Sequence, residues 1–270
     1  MSIQPLAVLV AGCVVWLLAG PRLAARLEGF DPAAARRAMA SIAIAAVAAG
    51  RLHFVYNHWH RFAGDPVAML AVWRGGLHAP GCVLGALVAA PFVCRLFGLP
   101  LRRFLDVVAP MMGFAIVGGR IGCFLDGCCY GIQCSLPWCM RFEGSFGPVH
   151  PLQLYFATAG LALAAIGLWL HPRRRYPGEV ALILFALFSM SSFALEFLRA
   201  ETPERPYWGP LPQLAWTSLI PSAAAVVGLV AAEARRRRRH RSDERSGFVP
   251  HARGGPVIRC TAAEARSDAM

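Results

Sequence analysis

A guanidinium, a carboxylate and three thiols crowd into one short stretch, Gly118-Gly119-Arg120-Ile121-Gly122-Cys123-Phe124-Leu125-Asp126-Gly127-Cys128-Cys129-Tyr130-Gly131. It follows an apolar run, Val107 to Val117, so Arg120 stands inside or beside hydrocarbon. An arginine at the centre of a membrane helix costs roughly 2.5–3.5 kcal/mol to insert, which makes it a functional candidate. Gly119 and Gly122 on either side let a ligand approach the backbone closely. A guanidinium binds phosphate through two parallel hydrogen bonds, and a phosphate at this depth belongs most naturally to a lipid headgroup. The plainer reading is an arginine whose stem lies along apolar surface while its head reaches the interface.

Three further groups could share in such chemistry. His78 lies in Gly75-Gly76-Leu77-His78-Ala79-Pro80-Gly81-Cys82, which resembles a broken helix start. Irregular backbone at membrane depth is tolerated only where protein or a cavity surrounds it; His78 is there either a general base or an interfacial histidine. The run His150-Pro151-Leu152-Gln153-Leu154-Tyr155 opens an apolar segment, with Pro151 expected at the first helical position. His150 and Tyr155 either face the site or sit at the interface. Glu196 and Arg199, three apart, share one helical face. They form either a local ion pair worth about 0.2–0.5 kcal/mol or a carboxylate orienting an anion-binding arginine.

The chain has nine cysteines, five of them in the pattern Cys123, Cys128, Cys129, Cys134, Cys139. The spacing is not that of paired zinc knuckles. On the outer face of a membrane disulfides are permitted, and Cys128 or Cys129 bridging Cys134 or Cys139 is the leading structural reading. A metal site and free thiols packed as small apolar groups remain the alternatives. Cys13, Cys82 and Cys94 fall in apolar segments and read as packing residues.

The elements that must position these groups are membrane helices. The 270 residues are 57% hydrophobic and 16% charged, with mean hydropathy +0.49, which describes an all-α polytopic membrane protein. The net charge of +12 comes with no lysine at all. Its arginines cluster between apolar runs, a topology signal that points away from nucleic acid. Seven spans are expected: Leu6 to Gly20, then about Ala33 to Tyr56, Gly81 to Leu99, Phe104 to Phe124, Pro151 to Leu170, Gly178 to Phe197 and Leu211 to Ala232. Each approaches the ~20 residues a crossing needs. No basic residue precedes Leu6, while Arg22 and Arg26 follow the first apolar run, so it reads as a retained span. Arginine is dense after odd spans (Arg22, Arg26, Arg36, Arg37; Arg95, Arg102, Arg103; Arg173 to Arg175; Arg235 to Arg239) and sparse after even ones. That bias places the N-terminus outside and the C-terminus in the cytoplasm. Residues 1–234 form the membrane domain, and residues 235–270 an arginine-rich, disordered cytoplasmic tail.

Taken together these residues resemble the bacterial phosphatidylglycerol–prolipoprotein diacylglyceryl transferases. The resemblance covers roughly residues 40–235. It rests on a Gly50-Arg51-Leu52 turn, the lead-in Trp73-x-Gly75-Gly76, Gly119-Arg120-Ile121-Gly122-x-Phe124-Leu125 with Gly131, His150-Pro151-x-Gln153-Leu154-Tyr155, and Glu196-Phe197-x-Arg199. It implies a multi-pass transferase of the bacterial inner membrane, moving the diacylglyceryl group of phosphatidylglycerol onto the lipobox cysteine of a prolipoprotein signal peptide. Glycerol 1-phosphate leaves and a thioether remains, with no metal or organic cofactor. The residues expected to be catalytic are Arg120, Glu196 and His150, with His78, two residues before the position of the family's histidine, as a possible base. The implied substrate-binding residues are Arg120, Arg199, Gly119, Gly122, Asp126, Tyr155 and Gln153. The chain departs from the family pattern in having Cys123 and Asp126 for asparagine, and Cys128 and Phe156 for glutamate. Pro80 stands opposite the family's histidine, and Ser192 replaces an arginine. These departures motivate two other readings: a phospholipid-binding paralogue without turnover, and a membrane thiol or redox protein using the Cys123–Cys139 cluster.

Overall fold

The computed structural model describes residues 3–62, 64–72, 76–200, 207–208, 211–212, 223–236 and 238; residues 3–15, 61, 79, 207–208 and 211–212 are described by backbone alone. The chain divides into two compact units, Met1–Leu229 and Val230–Met270. The first unit carries all the chemistry discussed below. Most of the expected tail, and the Trp73-x-Gly75 lead-in, lie outside the described residues.

Six helices make the frame: α1 (Ile3–Glu28), α2 (Pro32–Asn57), α3 (Ala79–Leu96), α4 (Leu101–Leu125), α5 (Leu152–Leu170) and α6 (Glu179–Glu196). Residues 223–236 are also helical. Asp31 starts α2 by accepting the backbone N–H groups of Ala33 and Ala34 at 3.2 and 2.9 Å, with Pro32 at the first helical position. Gly98, at φ +66°, ends α3, and the N–H of Leu99 reaches back to the Cys94 carbonyl at 2.8 Å.

Pro32–Asn57, Leu101–Leu125, Leu152–Arg173 and Glu179–Glu196 are long and apolar enough to cross a bilayer, and Pro80–Leu96 is a shorter apolar helix. This is a helical membrane protein; its described strands are one antiparallel pair, Tyr207–Trp208 with Leu211–Pro212. The expected seventh span therefore does not begin helically at Leu211, because that residue pairs with Trp208. The first helix runs past the expected end at Gly20 to Glu28, since its continuation buries Ala24 and brings Glu28 into the interior.

Packing relies on small residues at close helix contacts. A Cβ at Gly113 of α4 would stand 2.4 Å from the Gly160 carbonyl of α5, and one at Gly85 of α3 would stand 2.4 Å from the Ala49 side chain of α2. Ala35, Ala38, Met39, Cys94, Phe104 and Val107 fill the core at one end of the bundle. That end is closed by charge. Glu28 pairs with Arg103 at 2.5 Å, with His171 at 3.1 Å and with Arg174. Asp106, fully buried, accepts the N–H groups of Gly178 and Ala181 at 2.7 and 3.0 Å and so holds the start of α6. Arg120 lies fourteen residues along α4 from Asp106, about 21 Å at 1.5 Å per residue, at the opposite end.

Candidate functional site

Arg120 sits on the last turns of α4, facing α5 and the end of α6. Its guanidinium carbon lies 3.9 Å from the centroid of the Phe156 ring on α5. Arg199, just past α6, approaches the same ring at 6.0 Å. Glu196, buried at 4% exposure, holds Arg199 through a 2.9 Å contact from Nε. Arg120 takes part in no hydrogen bond or ion pair among the described residues, although Glu196, Cys123 and Cys129 lie near enough to act on it electrostatically. Two cations thus share one aromatic ring, with one buried carboxylate beside them. An anion entering between them would meet N–H donors that Arg120 has not spent on any of the described residues.

The segment between α4 and α5 runs beside this pair, bridging to the chain after α6 at Gly131 and Arg199. Gly127 (φ +66°) ends α4, the N–H of Cys128 returns to the Cys123 carbonyl at 3.1 Å, and Cys129 follows at φ +63°. Gln153, fully buried on the first turn of α5, donates from Nε2 to the Cys128 carbonyl at 2.6 Å. Gly131 is pinched between two backbones: its N–H donates to the His150 carbonyl at 2.9 Å, and a Cβ there would stand 2.5 Å from the Leu198 carbonyl. Only glycine lets the stretch after Arg120 be stitched directly to the chain after Glu196.

The sulfurs of Cys123, Cys128 and Cys129 lie within 4.8 Å of one another. The thiols of Cys123 and Cys128 hold the Cys129 thiol well below its ordinary range, with Arg199 and Arg120 adding to the effect. Cys123 and Cys129 in turn push Cys128 up. The expected disulfide from Cys128 or Cys129 does not form; the bridge is Cys134–Cys139. The reason is local: Cys128 is turned back toward α4 by its bond to Cys123 and held there by Gln153. Backbone bonds from Cys134 to Pro148 (3.0 Å) and between Met140 and Val149 (3.0 and 2.9 Å) fold the next segment on itself.

Each expected site residue now has a place. Arg120, Arg199 and Glu196 converge as described. Gly119 has open space where a Cβ would be, and Gly122 is buried. Asp126 caps the end of α4 and is exposed. His150 stands 3.0 Å from the Tyr155 hydroxyl, which also accepts the Trp138 indole N–H at 2.9 Å. The His150 ring lies within 4.8 Å of the bridged sulfurs, so its side chain serves this loop rather than touching Arg120. Pro151 precedes the first helical residue, Leu152, by one place.

His78 belongs to a second cluster at the same end of the bundle. Its ring meets those of His53 and His58 at 4.8 and 5.9 Å, and its Nδ1 lies 3.3 Å from Asn57. Burial lowers its pKa, with His53 and His58 lowering it further, which favours the neutral imidazole. Beside it, Arg51 is buried and donates to the carbonyls of Met69 (2.8 Å), Gly76 (3.0 Å) and Ala68 (2.7 Å). Gly50-Arg51-Leu52 is not a turn: it lies inside α2, where Gly50 accepts the His78 N–H at 3.1 Å. The rings of Phe54 and Phe62 flank Arg51 at 5.5 and 5.3 Å.

Sequence reasoning missed the ring beneath Arg120, the Trp138 donor and the buried network at Glu28 and Asp106. Phe156 had a signal, since it lies three residues after Gln153 on the inward face of α5. Trp138 had none in the local pattern.

The profile of the prolipoprotein diacylglyceryl transferase family matches residues 5–231. The phosphatidylglycerol–prolipoprotein diacylglyceryl transferase of Azotobacter vinelandii is 35% identical over 201 residues, 71% of this chain and 74% of its own. The protein of the same name from Pseudomonas putida is 31% identical over 228 residues, 80% of this chain and 83% of its own. That of Nitratidesulfovibrio vulgaris is 32% identical over 195 residues, covering 71% and 74%.

Proposed function

The chain belongs to the prolipoprotein diacylglyceryl transferase family, and from that premise we propose that it is itself a phosphatidylglycerol–prolipoprotein diacylglyceryl transferase. It moves the diacylglyceryl group of the phospholipid to the lipobox cysteine thiol of a prolipoprotein. The observation that carries the assignment of roles is the pair of guanidiniums on Phe156, with the N–H groups of Arg120 unspent among the described residues.

In this reading the phosphate of the donor lipid lies between Arg120 and Arg199. Glu196 keeps Arg199 from swinging away from the lipid phosphate. The open space at Gly119 admits the headgroup against α4. As the carbon–oxygen bond to the phosphate breaks, charge grows on the leaving oxygen and the paired cations offset it. Gln153, Tyr155 and His150 hold the loop over the site, and Asp126 at its rim faces the glycerol end. His78, whose neutral form is favoured by burial, is available as a base at the same end of the bundle.

The protein crosses the bacterial inner membrane seven times with its N-terminus outside, and the charge distribution supports this. The end closed by Glu28, Arg103, Asp106, His171 and Arg174 is the arginine-rich cytoplasmic one. Arg120 then works at the outer leaflet, where signal peptides of exported precursors are presented. Purified chain in phosphatidylglycerol-containing micelles should lipidate a lipobox peptide, and Arg120→Ala should lose that product. Lipid binding without turnover in the wild type would overturn the transferase assignment.

A further inference from the structure

One feature of the site is not used by phosphate binding: the three free thiols beside the arginines. Cys123 comes from the last turn of α4, and Cys128 and Cys129 from the turn that ends it. Several independent constraints bring the sulfurs together. The left-handed Gly127 and the bond from Cys128 N–H to Cys123 O fold the chain back on the helix. The buried Gln153 pins the Cys128 carbonyl from another element. Cys129 is the one non-glycine residue at positive φ among those described; such a conformation persists where its surroundings over-determine it, often at a functional site. Three is an odd number, so any disulfide among them leaves a thiol over, and the neighbouring pair Cys134–Cys139 is already bridged.

We propose that Cys123, Cys128 and Cys129 form a three-thiolate site for a zinc ion, whose fourth position takes the acceptor thiol. The sulfurs already lie within 4.8 Å of one another, and Zn–S bonds of about 2.3 Å in tetrahedral geometry require about 3.8 Å, a small side-chain rotation away. Three protein ligands with an open fourth place is the pattern of catalytic rather than structural zinc. Three thiolates and Zn²⁺ leave one net negative charge, two once the acceptor thiolate binds, and Arg120 and Arg199 are close enough to Cys129 to oppose it.

The proposal rests on the transferase reading and supplies its nucleophile. The acceptor thiol loses its proton on coordination and remains a thiolate at neutral pH. Its sulfur attacks the glyceryl carbon that carries the phosphate ester. A carbon–sulfur bond forms, the carbon–oxygen bond breaks, and the electron pair leaves on the phosphate oxygen facing the two guanidiniums. The released proton ends on the glycerol phosphate. Nothing is oxidised or reduced, and the product thioether, a weaker ligand than a thiolate, departs.

Cobalt titration of the purified full-length chain, in micelles under anaerobic reducing conditions, tests this. One equivalent of Co²⁺ should bind with a thiolate-to-cobalt band in the near ultraviolet and tetrahedral bands in the visible, and Zn²⁺ should displace it. Cys123→Ser, Cys128→Ser and Cys129→Ser should each weaken binding at least about 100-fold, whereas Cys134→Ser with Cys139→Ser should leave it unchanged. A lipobox peptide should alter the visible bands, and its cysteine-to-serine analogue should not. Absence of stoichiometric wild-type binding, or binding indifferent to Cys123→Ser, overturns the site without reference to the variants' activity. Binding with no peptide response overturns the role of the fourth position. If the metal binds and responds to the peptide but no thioether forms, the transferase reading fails and the thiol-binding site stands.

Discussion

Two arginines stand at the same end of this bundle and do opposite things. Arg51 is buried and has its guanidinium taken up by three backbone carbonyls between two aromatic rings. Arg120, on α4, has only the Phe156 ring and a neighbouring cation, with no hydrogen bond among the described residues. One arginine is spent on holding the irregular segment between α2 and α3. The other is held in place by packing and keeps its donors for something that is not protein. The contrast teaches that charge at membrane depth is not by itself a sign of function; the test is where the N–H groups go.

The largest effect should come from Arg120→Ala, which should cut kcat/KM for lipid transfer by about 10²–10³ while thermal unfolding in detergent stays within the error of the wild type. Arg51→Ala should do the reverse. It should destabilise by about 2–4 kcal/mol, because the carbonyls of Ala68, Met69 and Gly76 lose their donors. If both substitutions gave the same loss of stability, the distinction would be gone. Phe156→Leu should raise KM for phosphatidylglycerol by about 3–30-fold, the worth of roughly 0.5–2 kcal/mol of cation–π contact, with kcat less affected. Trp138→Phe removes one donor to Tyr155 and should cost about 0.5–1.5 kcal/mol of stability, read as a small drop in melting temperature.

The smallest effect concerns pH in the Arg51 region. His78 has a lower pKa folded than unfolded, through burial and then His53 and His58. Below about 6.5 the unfolded chain therefore binds the proton more readily. The stability contributed by neutral His78 is present above that pH and lost as the pH falls through it. His78→Gln should flatten this acid limb of the melting curve, while Arg120→Ala should not change it.

The helices were legible because hydrophobic runs of membrane length leave little choice of structure. The Arg120 stretch and the Glu196–Arg199 spacing were legible because a charge beside hydrocarbon is conspicuous. The disulfide was not: Cys128, Cys129, Cys134 and Cys139 are nearly equivalent in sequence, and only Gln153, fixed on another helix, selects between them. His78 reads as a site residue by its surroundings of glycine and proline, yet its ring packs with His53 and His58 from α2. The buried cluster joins Glu28 to Arg103 and Asp106 to Arg174, 75 and 68 residues apart, through the start of α4, separations no local pattern encodes.

By itself the sequence determined that this is an apolar helical chain, roughly where α2 to α6 run, and which arginine stands out in them. It did so because burial of backbone in hydrocarbon and the cost of charge there are properties of short segments. Only the tertiary structure decided that Arg120 and Arg199 meet on one aromatic ring, that Arg51 is consumed by carbonyls, and that three thiols gather while two others bridge. Those are contacts between helices, set by glycine-permitted close approach and long-range hydrogen bonds, and neither is written in any single stretch of the chain.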